Sequence, residues 1–369
     1  MTVKIGIDLV YLAPGATGGT ETYARAVLPR LVAQWPEARF TIFCGRELGS
    51  ELREQPWAPD VKVVTLPVSS NTRIRRTLAE QLLLPVALKR ARIDVVHSLA
   101  SVTPVLAPCR TVTTIHDVNY KREPDAHTGL MARGMSVLVP AAARKSRRIV
   151  VSAKSAGADL EHYLGVDPRK IDVVPLGPGL DDHAAPTPEG ELRSRLKLGD
   201  GPLVLCVSPR RAHKNLDRLV DAMRDIDATL VLPGYPTSFD DELLEHARGA
   251  RVVLTGWISD SDLEGLYAAA ELLALPSLAE GFGLPVLEAM RRGLPVACSN
   301  TTSLPELVGD AALTFDPEST EAIAGAIQRL LKNKRLRKNL AAKGREQAKL
   351  FSWERTADGL IATYKAALA

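Results

Sequence analysis

Aromatic residues make up only 5% of the 369 residues, and just four cysteines occur, Cys44, Cys109, Cys206 and Cys298. The cysteines are far apart, with no paired spacing. A disulfide framework or zinc cluster is therefore not expected, and they read as thiols of a reducing compartment. No run of 18 or more apolar residues is present, and the chain opens directly on a strand pattern. Neither a transmembrane span nor a signal peptide is expected, which points to a cytoplasmic location. No Asp-x-Asp pair stands in a place suited to holding a metal ion, so none is expected in the site.

The formal net charge is small, +4, but unevenly spread. Residues 1–180 carry 24 Lys and Arg against 16 Asp and Glu, whereas the remainder carries 23 against 27. The excess gathers in clusters such as Arg73, Arg75, Arg76 and Arg144, Lys145, Arg147, Arg148. Basic surface of this kind suits nucleic acid, an anionic membrane or a solvated helix face. Scarce aromatics and the lack of any recognition motif argue against nucleic acid. Peripheral contact with the inner face of an anionic membrane and plain solvation are the readings left.

What the chain has in quantity is alternation. A hydrophobic content of 46% can fill packed cores, and the length favours two domains. Strand-like runs are expected at Val3–Val10, Phe40–Cys44, Val61–Leu66, Val95–Ser98, Thr111–Ile115, Ile149–Ser152 and Ile171–Pro175, with helices at Thr20–Gln34, Ile74–Arg92 and Gly129–Ser146. Gly177 to Gly190 is dense in Gly and Pro and marks the best domain boundary. The alternation then restarts, with strands at Leu203–Val207, Thr229–Leu232, Val252–Thr255, Leu272–Leu275, Pro295–Ala297 and Leu313–Phe315. Helices are expected at Asn215–Arg224, Asp240–Arg248, Ser261–Ala270, Val286–Arg292 and Thr320–Lys332, followed by a basic helix over Lys332–Arg345 and a capped amphipathic one over Ser352–Leu368. Such a pattern predicts an α/β protein of two doubly wound parallel sheets, with ligands at their carboxyl edges. The divisions expected are 1–180, 181–351 and the tail 352–369.

One stretch organises the second half. A β-forming run reaches Pro276, and Glu280-Gly281-Phe282-Gly283-Leu284-Pro285 then turns into a helix that carries Glu288 one turn further on. Glycines let main chain approach a ligand, and proline suits a helix's first turn. The helix start points N–H groups out of the sheet edge, a ready anion site. Earlier, Gly15-Ala16-Thr17-Gly18-Gly19-Thr20 follows the first strand and opens a helix in the same manner.

The string from Glu280 to Glu288 resembles the donor-site signature of the retaining glycosyltransferases of family 4, which have the GT-B fold. Ser303-Leu304-Pro305-Glu306, Gly309-Asp310-Ala311-Ala312-Leu313 and Phe351-Ser352-Trp353 resemble the subgroup containing bacterial O-antigen mannosyltransferases. Ser303 and Glu306 by themselves read as a helix capping box. The likeness runs from Ile5 to Tyr364 and thins between Leu48 and Arg110. It implies two Rossmann-like domains facing across a cleft, an N-terminal acceptor domain and a C-terminal donor domain, with the last helix crossing back onto the first domain.

The same resemblance implies roles residue by residue. Gly19, beside Gly18, matches the glycine that touches the donor diphosphate. His116, in Thr113-Thr114-Ile115-His116-Asp117, matches a histidine beside the transferred sugar. In Ser208-Pro209-Arg210-Arg211-Ala212-His213-Lys214-Asn215, Lys214 and Asn215 match a phosphate-binding run, while Ser208 replaces a glycine and His213 stands where arginine is common. Lys214 is the expected phosphate cation and Arg210 the second, Arg211 remaining its rival. Ile258 matches the position whose main chain meets the base. Asp260 could accept from a guanine edge, although Ser259, Asp260 and Ser261 read first as a cap for the next helix. Gly281, Phe282, Gly283 and Leu284 supply main chain to the donor, Glu280 faces the transferred sugar and Glu288 the ribose.

The activity implied is retaining transfer of a hexosyl group, GDP-mannose being the favoured donor, to a glycan, lipid-linked or small-molecule acceptor in polysaccharide or glycoconjugate biosynthesis. Retention is expected to proceed by attack on the face from which the leaving group departs. A nucleotide-sugar epimerase and a non-catalytic sugar-nucleotide-binding scaffold are the alternatives.

Overall fold

The computed structural model describes residues 2–15, 18–69, 72–122, 130–179 and 184–369, with backbone alone for 130–133. Ala16 and Thr17 of the glycine-rich loop, Gly129 and residues 180–183 of the linker lie outside the described residues. Two compact units result, one comprising the chain up to Gly177 together with Ser352–Ala369, the other Pro178–Phe351.

Unit 1 runs β1 (Lys4–Leu9), α1 (Gly19–Gln34), β2 (Arg39–Cys44), α2 (Arg46–Arg53), β3 (Lys62–Thr65), α3 (Arg73–Leu82), α4 (Leu84–Ala91), β4 (Val95–Ser98), β5 (Arg110–Thr114), α5 (Asn119–Arg122), α6 (Leu130–Lys145), β6 (Arg148–Val151), α7 (Lys154–Leu164) and β7 (Ile171–Val173). Its sheet is ordered β3-β2-β1-β4-β5-β6-β7 and every pairing is parallel. Ile7 lies between Ile42 and His97 at the centre. The strands are near-continuous β-branched and aliphatic runs because helices cover both faces.

Unit 2 runs α8 (Glu189–Leu196), β8 (Leu203–Leu205), α9 (Leu216–Met223), β9 (Thr229–Pro233), α10 (Asp240–His246), β10 (Arg251–Gly256), α11 (Asp260–Ala269), β11 (Leu272–Leu275), α12 (Leu284–Arg292), β12 (Val296–Ser299), α13 (Leu304–Val308), β13 (Leu313–Phe315), α14 (Thr320–Lys332) and α15 (Lys334–Ala348). Its sheet is also parallel, ordered β10-β9-β8-β11-β12-β13. In both sheets the strand order reverses at one place, between β1 and β4 in unit 1 and between β8 and β11 in unit 2. Open parallel sheets bind ligands outside their carboxyl ends at such a reversal.

Two expectations need correction. The helix expected over Ile74–Arg92 divides at Leu83 into α3 and α4, because Pro85 has no N–H to continue the ladder. The helical path nevertheless carries on, since Leu83 donates to Ala79 and Ala87 donates to Leu83. The capping box expected at Ser303 does not form. Ser303 has helical dihedrals, and its hydroxyl donates to the Glu280 carbonyl at 3.0 Å instead.

The final helix, α16 (Trp353–Leu368), belongs to unit 1 and packs along α1. Ser352 caps it by accepting from the Arg355 N–H at 3.2 Å. Trp353, Leu360 and Tyr364 are buried. The Tyr364 hydroxyl lies 2.7 Å from His97 Nδ1, and His97 Nε2 lies 2.8 Å from the Thr114 hydroxyl, itself 3.3 Å from the Tyr23 hydroxyl. A neutral imidazole has one donor and one acceptor, so it satisfies both neighbours. Burial, reinforced by the charge of His116, pushes the His97 pKa down to about 3.

This chain of bonds generates a pH prediction. A histidine whose folded pKa is depressed binds fewer protons folded than unfolded between about pH 3 and its ordinary value of about 6.5. Its contribution is therefore full at neutral pH and lost as the pH falls through that window, by at most ~1.4 kcal/mol per pH unit. Asp8, pushed up to about 6 by burial, acts in the opposite sense over part of the same range. Comparison with a His97→Gln variant isolates the histidine. Urea unfolding should show the wild type ahead at pH 7, with the gap closing as the pH is lowered towards 4.

Candidate active site

Lys214 and Glu280 leave the sheet on either side of the unit 2 reversal, after β8 and β11. Lys214 Nζ lies 2.7 Å from Glu280 Oε1. The fully buried Ser277 donates its hydroxyl to the same oxygen at 2.7 Å. The Glu280 N–H donates to the Thr302 hydroxyl at 3.0 Å, and its carbonyl accepts from Ser303. One residue thus gathers the exits of three strands, β8, β11 and β12. Both side chains of the ion pair are nearly buried, 12% and 11% exposed, where charges are screened less than in open solvent.

Lys214 ends a 3-10 turn, and Asn215 after it holds a left-handed conformation, φ 57°. Asparagine tolerates that region better than most residues. Its buried amide donates to the carbonyls of Pro276 at 3.0 Å and Pro317 at 2.8 Å, while its own oxygen accepts from Arg218. The Lys214 loop is thereby tied to the end of β11. His213 is buried, and its carbonyl accepts from Leu278.

The expected second cation is placed differently. The Arg210 guanidinium turns inward and donates to the carbonyls of Leu232, Gly234 and Tyr235, with Asp240 at 3.4 Å. An arginine only 5% exposed whose guanidinium is bonded to three carbonyls braces the exit of β9. Arg211, the next residue, is exposed.

The structure gives the Gly-Phe-Gly turn a packing reason. Gly283 has φ 100°, and a Cβ there would stand 2.7 Å from Leu304 Cδ2. Phe282 is buried edge-on against Phe351, 5.9 Å between ring centres, so its side chain serves packing. From Gly283 the helix α12 begins, with Pro285 in its first turn.

Glu288 sits in a separate network. Its Oε2 accepts from the Tyr267 hydroxyl at 2.9 Å. Arg292 lies over the Tyr267 ring, 4.5 Å from its centre, and donates Nε to Glu264 at 2.8 Å. Burial raises the Glu288 pKa, partly countered by Tyr267 and Arg292. On the side of Oε1, Gly179 approaches so closely that a Cβ would come within 2.8 Å of that oxygen. Ser259 caps α11 by accepting from the Asp262 N–H, leaving Asp260 exposed at the first helical position and Ile258 half-buried before it.

In unit 1, His116 follows β5. Its Nε2 lies 3.2 Å from the Leu99 carbonyl, and its ring meets Tyr23 edge-on, 5.3 Å between centres at 87°. Burial lowers its pKa, so the neutral imidazole is favoured. Gly18, φ 57°, and Gly19 are exposed at the start of α1, and Glu21 in its first turn accepts from the Gly15 N–H at 2.9 Å. Ser277, Thr302 and Tyr267 were not singled out by sequence. Ser277 stands three residues before Glu280, but Thr302 and Tyr267 give no local signal. Among the described residues, no group of three or more His, Cys, Asp or Glu is placed to hold a metal ion.

The two doubly wound parallel sheets are those of the GT-B fold, and comparison with known proteins makes the class a glycosyltransferase. A model of glycosyl transferases group 1 matches residues 189–347, and one of glycosyltransferase family 4 matches residues 17–181. The O-antigen chain mannosyltransferase B of Escherichia coli is 33% identical over 267 residues, 69% of this chain and 70% of that protein. The MMP alpha-(1->4)-mannosyltransferase of Mycolicibacterium hassiacum is 30% identical over 62% of this chain and 56% of its own. Among solved structures, sucrose-phosphate synthase from Thermosynechococcus elongatus superposes with a TM-score of 0.77 at 22% identity, covering 98% of both chains. The chain belongs to glycosyltransferase family 4.

The geometry around Asn215 makes a stability prediction. Asn215→Ala loses two buried hydrogen bonds to carbonyls and places an alanine in the left-handed region, together costing about 2–4 kcal/mol. Asn215→Gly keeps the backbone conformation accessible and should lose less. Thermal unfolding of both variants, with the alanine variant melting lower, checks the assignment.

Proposed function

We propose that the protein transfers a hexosyl group from a nucleotide sugar with retention of anomeric configuration. Mannosyl from GDP-mannose is the favoured case, and the acceptor is a glycan, a lipid-linked sugar or a small molecule in polysaccharide or glycoconjugate assembly. Peripheral contact with an anionic membrane would bring the enzyme to a lipid-linked acceptor. The observation that carries the reading is the Lys214–Glu280 pair at the β8/β11 reversal, beside the start of α12. Two relatives whose names specify mannosyl transfer support the sugar.

In this reading the diphosphate lies between Lys214 and the N–H groups of Gly281 to Leu284. As the glycosidic bond breaks, negative charge grows on the departing phosphate oxygen, and the Lys214 ammonium and helix terminus stabilise it. Arg211, exposed on the same loop, serves as the second cation, so no metal ion is assigned. The acceptor hydroxyl attacks the anomeric carbon from the face the phosphate leaves, and its proton passes to the departing phosphate oxygen. Glu280 orients the transferred sugar. Glu288 accepts from the ribose through Oε1, Ile258 offers main chain to the base, and Asp260 accepts from a guanine edge.

Incubation with labelled GDP-, UDP- and dTDP-sugars tests the reading. Slow hydrolysis without acceptor, fastest for GDP-mannose, is the expected result, whereas exchange at C2 of the sugar would mark an epimerase and binding without turnover a scaffold. Lys214→Ala should reduce turnover by ~10²–10³ while loosening donor binding far less. The two glutamates should separate in calorimetry. Glu288→Ala loses charge-assisted bonds to the ribose, ~1.5–3 kcal/mol each, and weakens GDP and donor alike. Glu280→Ala should spare GDP affinity and depress transfer. Equal loss of nucleotide binding in both variants would refute this division.

A further inference from the structure

The arm formed by α3 and α4 presents two unlike faces. Its inner face enters the unit 1 core, where Ala79, Leu84 and Leu88 cluster with Val10, Phe43 and Val96. On its outer face Ile74, Leu78, Leu82 and Val86 recur every four residues, and they are 58%, 53%, 64% and 49% exposed. Residues four apart on a helix are neighbours, so these form one stripe roughly 18 Å long. The stripe widens at one side. Gln81 donates to the Thr103 carbonyl at 3.1 Å and accepts from the Val105 N–H at 3.0 Å, which lays the loop bearing the exposed Leu106 alongside.

The charge around the stripe has a single sign. Arg73, Arg75, Lys89, Arg90 and Arg92 are exposed, while the only carboxylate between residues 72 and 92, Glu80, is buried and held towards its neutral form. Scattered apolar residues on a surface need no explanation, but a continuous apolar stripe rimmed by cations does. A second copy of the chain would bring like charges face to face. An anionic bilayer offers apolar depth and negative headgroups together, the combination an in-plane amphipathic helix with a basic border requires.

We propose that the outer face of α3–α4 is a membrane-docking surface that seats Ile74, Leu78, Leu82 and Val86 among the lipids of an anionic bilayer, with Arg73 and Arg75 against the headgroups. The proposal rests on the peripheral-membrane part of the reading above, and its test separates the two. Full-length protein is co-sedimented with vesicles of phosphatidylglycerol and phosphatidylcholine, and with phosphatidylcholine alone, at low and high salt. Wild type should bind the anionic vesicles at low salt. Leu78→Glu with Leu82→Glu, and Arg73→Glu with Arg75→Glu, should each lower partitioning by ~10-fold or more. Lys334→Glu with Lys338→Glu, an equal charge change on the basic helix α15, should not. Unchanged thermal unfolding confirms that the variants fold, and a polarity-sensitive dye on Leu78→Cys should report an apolar environment only with anionic vesicles.

Wild type that ignores anionic vesicles altogether would overturn the membrane reading itself. Wild type that binds while the α3 variants bind equally well would overturn only this surface. Concentration-dependent self-association abolished by the Leu78 and Leu82 changes, with no vesicle binding, would reassign the stripe to contact between copies.

Discussion

The Glu280 carboxylate oxygen shared by Lys214 and Ser277 is the interaction on which the arrangement of the site depends. It joins loops that leave two neighbouring strands, and the N–H and carbonyl of the same residue recruit a third through Thr302 and Ser303. An ammonium held in this way is fixed in place by the fold. The left-handed residues around it have the same purpose in the backbone. Asn215, Gly234, Gly256, Gly283 and Thr302 follow or end β8, β9, β10, β11 and β12, each with positive φ. A chain that must reverse sharply at a sheet's carboxyl edge needs such conformations, and only some residues adopt them at low cost.

Much of the architecture was legible because parallel strands covered on both faces are near-continuous apolar runs bounded by polar loops. Leu272–Leu275, Val95–Ser98 and Leu313–Phe315 coincide with their expected bounds. Some helices were passed over, among them α2, α7 and α8, the last beginning within the Pro- and Gly-rich linker. The division at Leu83 escaped because the apolar spacing continues through it, while a single proline changes the hydrogen bonds.

The site was legible where its chemistry is local. The segment Glu280 to Glu288 carries its carboxylates, glycines and proline in one string. Partnerships across strands were not, since nothing in the order of residues says that Thr302 meets the Glu280 N–H or that Tyr267 meets Glu288. Arg210 shows the reverse error. Its place near Lys214 in sequence suggests a shared ligand, yet its side chain crosses to the neighbouring strand's exit and donates to three carbonyls there. Ser303 likewise looks like a cap in a four-residue window and is claimed by a carbonyl 23 residues away.

The return of α16 to unit 1 makes unit 2 an insertion within a discontinuous body. The pairing of His97 with Tyr364 closes a loop of 267 residues. Loop-closure entropy grows only slowly with length, so the cost at equilibrium is modest. The consequence is one of order in time. During synthesis the sheet of unit 1 emerges first but lacks the helix that covers His97 and Trp353's neighbours, whereas unit 2 emerges with all of its elements contiguous and can close at once. The later-made body is thus free to finish before the earlier one, which stays partly uncovered until the last helix leaves the ribosome and docks.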